Sequence, residues 1–304
     1  MIRAVTVTNY LGESKTFELA FPESSGFVVQ SISGLGPSKA DINMTEISTN
    51  DGSLYNSARV NSRNIVMSLK LMFNPQIEDA RHETYKYFPI KKRVRLLIET
   101  DNRICETYGY VESNEPNIFS SNETTQISIV CPDPYFYSAG PDGINTTIFY
   151  GVLPLFEFPF SNESLTEKLI EFGEIKNETE QTVYYSGDAE IGVLITIHAI
   201  GNVSDITIYN TGTREEMHID AEKIKQITGS GIIAGDEIII STVKGDKSIT
   251  LLRDGIYKNI LNCLDKDADW FHLSKGDNIF AYVVKEGIVN VQFKIENRTA
   301  FEGV

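Results

Sequence analysis

Two-residue alternation of apolar and polar side chains recurs along this chain and limits its fold more than any other feature. Ile65, Met67, Leu69, Leu71 and Phe73 fall on one side of an extended segment. Val94, Leu96 and Ile98 form a second such row, and Ile127, Ile129 and Cys131 a third. Toward the C-terminus Val289, Val291, Phe293 and Ile295 alternate with Asn290, Gln292, Lys294 and Glu296. Successive strand side chains point to opposite faces, so these segments make half-buried antiparallel strands with one wet face. Turn formers punctuate them at Asn50-Asp51-Gly52, Lys244-Gly245-Asp246, Asp254-Gly255 and Glu286-Gly287. The chain is expected to be mainly β.

Helical spacing is rarer. Pro75 opens a run in which Ile77, Ala80, Thr84 and Phe88 share a face, with Tyr85 expected to widen it. Glu78 and Asp79 in the first turn and Lys86 near the end suit the helix dipole, and Pro89 stops the run. A shorter helix is expected from Ser164 to Phe172, where Ser164 and Glu167 have capping-box spacing and Gly173 suits the exit. The stretch Asp220 to Thr228 reads equally as a helical turn or a strand.

At 304 residues the chain has room for two domains. The segment CPDPYFYSAGPDG, Cys131 to Gly143, holds three prolines and two glycines that block a continuing sheet or helix. Domains are therefore expected at 1–135 and 145–304, with a linker at 136–144. Charge divides unevenly at that boundary: residues 1–143 hold 17 acidic and 13 basic residues, net −4, and residues 144–304 hold 25 and 14, net −11. The near-neutral half tolerates close self-association, whereas the acidic half repels its copies.

Composition excludes several roles. Hydrophobic residues make up 41% of the chain and charged residues 23%, enough apolar content for real cores. A net charge of −15 argues against general nucleic-acid binding, which needs the opposite sign. No apolar run is long enough to span a membrane, and the opening MIRAVTVTNYLGESKTF does not read as a secretory signal. Cys105, Cys131 and Cys263 are far apart and odd in number, so they read as reduced thiols of a protein made in the cytoplasm.

No catalytic, cofactor-binding or metal-ligating residues are assigned. His82, His198, His218 and His272 have no metal-binding spacing, and no nucleophile motif is present. Asp265-Lys266-Asp267-Ala268-Asp269 begins like a calcium loop, but Trp270 stands where Gly is needed and Gly276 where Glu is needed. The glycines from Gly229 to Gly235 suggest a phosphate loop, yet no Lys-Ser/Thr follows and the next segment reads as a strand. Lys91, Arg93 and Arg95 share a strand face that could touch nucleic acid or an acidic neighbour, but with no interleaved aromatics in the run it reads mainly as solvated or as an intersubunit ion-pair surface. Trp270, Phe271, Tyr257 and Tyr282 are weighed as a sugar platform and read mainly as core. Gly34 to Arg63 lacks firm core periodicity outside Ile42 to Ile47. It reads either as an arm reaching a neighbouring subunit or as a hairpin on its own domain.

Two stretches of text go further. One is DGSLYNSARVNSRNIVMSLKLMF, followed by IEDARHETYKYFPIKKRVRLLIETDNR, GYVESNEPNIFS and CPDPYF. The other is GDEIIISTVKGDKSITLLRDGIYKNILNCLDKDADWFHLSKGDNIFAY. Together they resemble the distal tail proteins of non-contractile-tailed phages and prophages of Gram-positive bacteria. The resemblance implies an N-terminal tail-tube-like β-sandwich with one flanking helix and a C-terminal galectin-like or jelly-roll β-sandwich. It implies a structural protein of the virion tail, without cofactor, metal or catalysis. Copies would form a hexamer, singly or as stacked rings, in contact with the tail tube protein, the tape measure and the tail-tip proteins. No membrane contact or specific nucleic-acid binding follows, although DNA would pass through such a ring. The alternative is a module binding host cell-wall glycan through the C-terminal domain.

Overall fold

The computed structural model describes residues 1–48, 51–72, 76–154 and 173–304. The expected helix at Ser164 to Phe172 lies outside the described residues. Two compact units are present: Met1–Gly143 together with Ala300–Val304, and Ile144–Thr299.

The first unit contains β1 (Ile2–Thr8), β2 (Ser14–Glu18), β3 (Phe27–Ser33), β4 (Ala40–Glu46), β5 (Ser53–Val60), β6 (Arg63–Leu71), α1 (Ile77–Tyr87), β7 (Arg93–Thr100), β8 (Ile104–Pro116), β9 (Thr124–Cys131) and β10 (Phe136–Ser138). Its main sheet runs β2-β1-β7-β8-β9-β6-β3, and every pair in that order is antiparallel. The sheet folds back on itself until its outer strands meet, with the rings of Phe17 on β2 and Phe27 on β3 only 5.5 Å apart. The alternating rows expected on β6, β7 and β9 point into the resulting core, from Ile65 to Leu71, Val94 to Ile98 and Ile127 to Cys131; Phe73 of the first row lies outside the described residues. α1 flanks this β-sandwich. Lys15–Glu83 and Lys86–Glu13 tie it to the β1–β2 hairpin, each at 2.9 Å. Thr84, the polar member of its buried stripe, accepts a hydrogen bond from Asn114 Nδ2 on β8 at 3.2 Å. Tyr85 does not widen the apolar face; it is exposed, and Ala80 and Phe88 seal the contact instead.

The second unit contains β11 (Ile144–Ile148), β12 (Tyr150–Pro154), β13 (Gly173–Asn177), β14 (Glu180–Tyr185), β15 (Ile191–Gly192), β16 (Leu194–Ala199), β17 (Ile206–Asn210), β18 (Glu215–Ile219), α2 (Ala221–Thr228), β19 (Glu237–Ser241), β20 (Ser248–Arg253), β21 (Ile256–Asn259), β22 (His272–Leu273), β23 (Gly276–Val284) and β24 (Val291–Arg298). A six-stranded sheet, β11-β24-β16-β19-β20-β21, faces a four-stranded sheet, β14-β23-β17-β18. Ile195, Ile240, Leu251 and Phe293 of the first share one core with Val183, Ile208, Met217 and Phe280 of the second. This is a β-sandwich. The expected alternation holds from Val291 onward, but Val289 is exposed because Ile288–Asn290 form a 3-10 turn before the strand starts. The Asp220 to Thr228 ambiguity resolves to a helix. Asp220 Oδ1 accepts hydrogen bonds from the backbone of Glu222 and Lys223 at 2.9 and 3.1 Å, and Gly229 ends the helix at φ 87°.

The last strand, β25 (Ala300–Phe301), returns to the first unit and pairs with β10, which also pairs with β8. The stretch 136–144 expected as linker is therefore sheet at Phe136–Ser138, because Pro132, Pro134 and Pro141 bracket these residues without occupying them. Arg63 organises this junction. It is 3% exposed and has no carboxylate partner among the described residues; its guanidinium donates to the backbone carbonyls of Pro134 at 2.7 Å, Gly34 at 2.6 Å, and Gly36 and Glu302 at 2.5 Å. It also stacks 4.3 Å over the Phe136 ring. Burial pushes its pKa down.

Candidate functional site

The chemistry considered from sequence resolves into structural contacts. Arg253 fills the glycine-rich loop in place of a phosphate. It donates to Ser230 Oγ at 2.6 Å, to the Gly231 carbonyl at 2.7 Å, and to the buried Asp236 carboxylate through Nε at 2.7 Å. The acidic run is likewise used within the fold. Asp265 accepts from Lys223 Nζ at 3.2 Å, and Asp269 Oδ2 accepts from the Glu216 backbone at 3.2 Å. His218 Nδ1 lies 3.0 Å from Thr207 Oγ1, and the His82 ring lies 5.9 Å from that of Tyr85. Among the described residues no group of three or more His, Cys, Asp or Glu could hold a metal ion. All three cysteines are buried thiols, and burial raises the pKa of Cys131 to about 11, far from a reactive thiolate. Of the aromatics weighed as a sugar platform, Phe271 and Tyr282 are core, and Trp270 is partly buried with Lys247 Nζ 5.2 Å from its ring centroid. Only Tyr257 of the four is exposed.

Two surfaces of the first unit stand out instead. β4 and β5 form a two-stranded sheet of their own, and every residue of both strands is exposed. Alternation and register divide its faces. Asp41 pairs with Arg59 at 3.5 Å, and Asn56 donates to Thr45 at 2.7 Å on the polar side. Ile42 opposes Ala58, Ala40 opposes Val60 and Met44 opposes Tyr55 on the other. Ile42, Met44 and Tyr55 are 58%, 56% and 61% exposed. An isolated two-stranded hairpin is marginal in water at best, and this one leaves its apolar face open. Glu46 and Asp51 lie at its far end, and neither has an ion-pair partner among the described residues.

The second surface is the basic run. Lys91 lies before β7 at φ 65°, held by hydrogen bonding of its N–H to the Val111 carbonyl at 2.9 Å. A lysine in the left-handed region costs about 1 kcal/mol, which the surrounding pairing sustains. Arg95 is engaged by the buried Glu106 at 2.6 Å. Lys91, Lys92 and Arg93 are exposed and meet no carboxylate among the described residues. The aromatics missing from the linear run arrive from other strands. Arg93 stacks 4.2 Å over Tyr108 of β8, and Lys92 Nζ lies 5.2 Å from the Tyr10 ring of the β1–β2 turn. Tyr110 pairs directly with Arg93 across β7 and β8. Tyr10, Leu11, Ile90, Tyr108 and Tyr110 are all exposed.

A folded-over antiparallel sheet with one flanking helix and a two-stranded hairpin, and a β-sandwich placed before the last strand, make up a fold similar to that of solved proteins of phage adsorption machinery. The SPP1 Dit protein, described as a paradigm of the hub adsorption apparatus in Gram-positive-infecting phages, matches with a TM-score of 0.67 at 12% identity, over 98% of this chain and 99% of that one. A chain of the phage p2 baseplate in its activated conformation with Sr matches with a TM-score of 0.50 at 12% identity, over 98% of each chain. No family model matches this chain, and no curated protein matches it.

Proposed function

We propose that the chain is a structural hub of a phage tail, assembling as a six-membered ring that joins the tail tube to the tip or baseplate. One observation carries the reading: the β4–β5 hairpin presents an uncovered apolar face, which a neighbouring copy in a ring would bury. The full-length likeness to a hub protein supports it, as does the low net charge of the first unit. On this reading the first unit forms the ring around the path of the DNA. The second unit, a galectin-like module of net charge near −11, stays at the periphery, since copies that close would repel over a screening length of ~8 Å. The tail tube protein, the tape measure and tail-tip proteins are its partners, the virion tail its location, and the role involves no catalysis. A glycan-binding role for the second unit has weaker support, because three of the four aromatics weighed for it are turned into or against the core.

Native mass spectrometry of the full chain is expected to show hexamers or paired hexamers. Ile42→Asp with Met44→Asp is expected to leave folded monomers. Monomer alone across a wide concentration range for the unmodified chain would overturn the ring. Residues 144–299 alone are expected to stay monomeric, and residues 1–143 joined to 300–304 to assemble. The reverse result would place the ring contact in the second unit.

A further inference from the structure

The structure points to a receptor for the hairpin: we infer that the arm of one copy docks on the Tyr10, Lys91, Lys92, Arg93, Tyr108 patch of the next. This inference rests on the ring reading above and names the contact that would close it.

The two surfaces are complementary in both charge and polarity. The arm carries two free carboxylates, Glu46 and Asp51, beside an apolar face of Ile42, Met44 and Tyr55. The patch carries three free cations, flanked by the exposed side chains of Tyr10, Leu11, Ile90, Tyr108 and Tyr110. Several other cations of the same unit are used internally, Lys15 by Glu83, Lys86 by Glu13, Arg81 by Glu123 and Arg95 by Glu106, whereas Lys39 and Lys70 stand singly without a carboxylate partner among the described residues. Lys91, Lys92 and Arg93 are instead consecutive, so they concentrate positive charge at one place in a chain of net charge −15 and suit a partner surface that supplies carboxylates.

The chemistry favours a protein over a nucleic acid. Successive bases need a row of free aromatic faces to stack on, but the Tyr108 and Tyr10 rings already carry Arg93 and Lys92, which leaves Tyr110 alone. Exposed tyrosines and arginines held in place are instead the composition of protein-interface hot spots. Topology fits as well. The arm leaves the sheet between β3 and β6, whereas the patch lies on β7, β8 and the β1–β2 turn. Two different patches meeting head to tail generate a closed ring when the rotation between copies closes.

Charge exchange tests this directly in the full chain. Lys91→Glu with Lys92→Glu and Arg93→Glu, and separately Glu46→Lys with Asp51→Lys, are each expected to raise the concentration needed for ring formation by about 100-fold, since like charges then face each other. Both sets of substitutions together, or a one-to-one mixture of the two variants, are expected to restore the ring. In that mixture every arm again meets a patch of opposite sign. Circular dichroism and melting temperature, unchanged in both variants, exclude misfolding as the cause. Rings of unchanged stability in either variant would overturn the pairing while leaving the hub reading intact. So would loss of the ring without rescue by the combination. Absence of rings from the unmodified chain would instead fail the hub reading itself. Binding of a single-stranded oligonucleotide that is abolished by the Lys91, Lys92, Arg93 changes, with the ring unaffected, would assign the patch to nucleic acid and refute the inference.

Discussion

Replacing Arg63 by Met keeps much of the side-chain volume and removes every donor of its guanidinium. Four backbone carbonyls, those of Gly34, Gly36, Pro134 and Glu302, then lose a charged donor in a site only 3% exposed on the arginine itself. A hydrogen bond to a charged group contributes about 1.5–3 kcal/mol net, but four on one side chain do not add, and the wild type also bears the cost of burying the charge. The expected net loss is about 3–5 kcal/mol, confined to the first unit because all four acceptors belong to it. With a urea m-value of about 2 kcal/mol/M for a unit this size, the midpoint falls by about 2 M. The second unit, with its own core, keeps its transition. Amide exchange gives an independent readout: the Val304 N–H, bonded to the Leu35 carbonyl at 3.0 Å, should lose protection along with Ala300 and Phe301. Arg63→Lys restores a charge but not the planar fork, so it should recover only part of the loss. A Met variant within about 1 kcal/mol of wild type and with a fully protected C-terminal strand would refute this account of the junction.

Two further substitutions test the second unit. Tyr282 stacks on Phe293 at 4.9 Å with its hydroxyl buried and without a hydrogen-bond partner among the described residues, so Tyr282→Phe should stabilise the unit by about 1 kcal/mol in a denaturant titration, and a loss of stability would mean the hydroxyl is satisfied. Asp220→Ala should cost about 1 kcal/mol by removing the cap of α2. The Lys223 backbone N–H, foremost among its partners, holds the Asp220 carboxyl below its usual 3.8. Its contribution is therefore present above that value and lost as pH falls through the lower folded one, so wild type and variant should converge in acid. A stability gap that does not shrink as the pH is lowered below 3.8 would show that the cap is not the source.

Much of the β architecture was legible because its core faces are periodic. The rows on β6, β7 and β9 become buried as the alternation requires, and Pro89 ends α1 where a proline must. What escaped was non-periodic. Arg63 opens a strand as an ordinary charged residue, and nothing in the text links it to carbonyls at positions 34, 36, 134 and 302. β25 is two residues long, too short for any pattern, so the return of the chain to its first unit left no trace. The helix α2 had its signals in Asp220 and Gly229, but only Ile224 of its residues is buried, too little for a helical stripe to show. The basic patch was only half legible. Its cations are contiguous, while its tyrosines come from β8 and the β1–β2 turn. Counting outward from the turn at Asp101 and Asn102 would have set Tyr110 opposite Arg93, the pairing found.

The return of β25 has a consequence for how such chains diversify. Ile144 and Arg298, at the two ends of the second unit, are register partners, and in the first unit Tyr137 and Ala300 are partners too. Paired residues of an antiparallel ladder lie about 5 Å apart, so on both sides the cut ends are neighbours. Topologically the whole sandwich occupies the place of a hairpin turn between β10 and β25. Any domain that begins and ends on adjacent strands could be spliced into the same gap while the first unit keeps its sheet, its arm and the carbonyls around Arg63. A lineage could thus trade one peripheral module for another by recombination at two sites and leave the shared scaffold untouched.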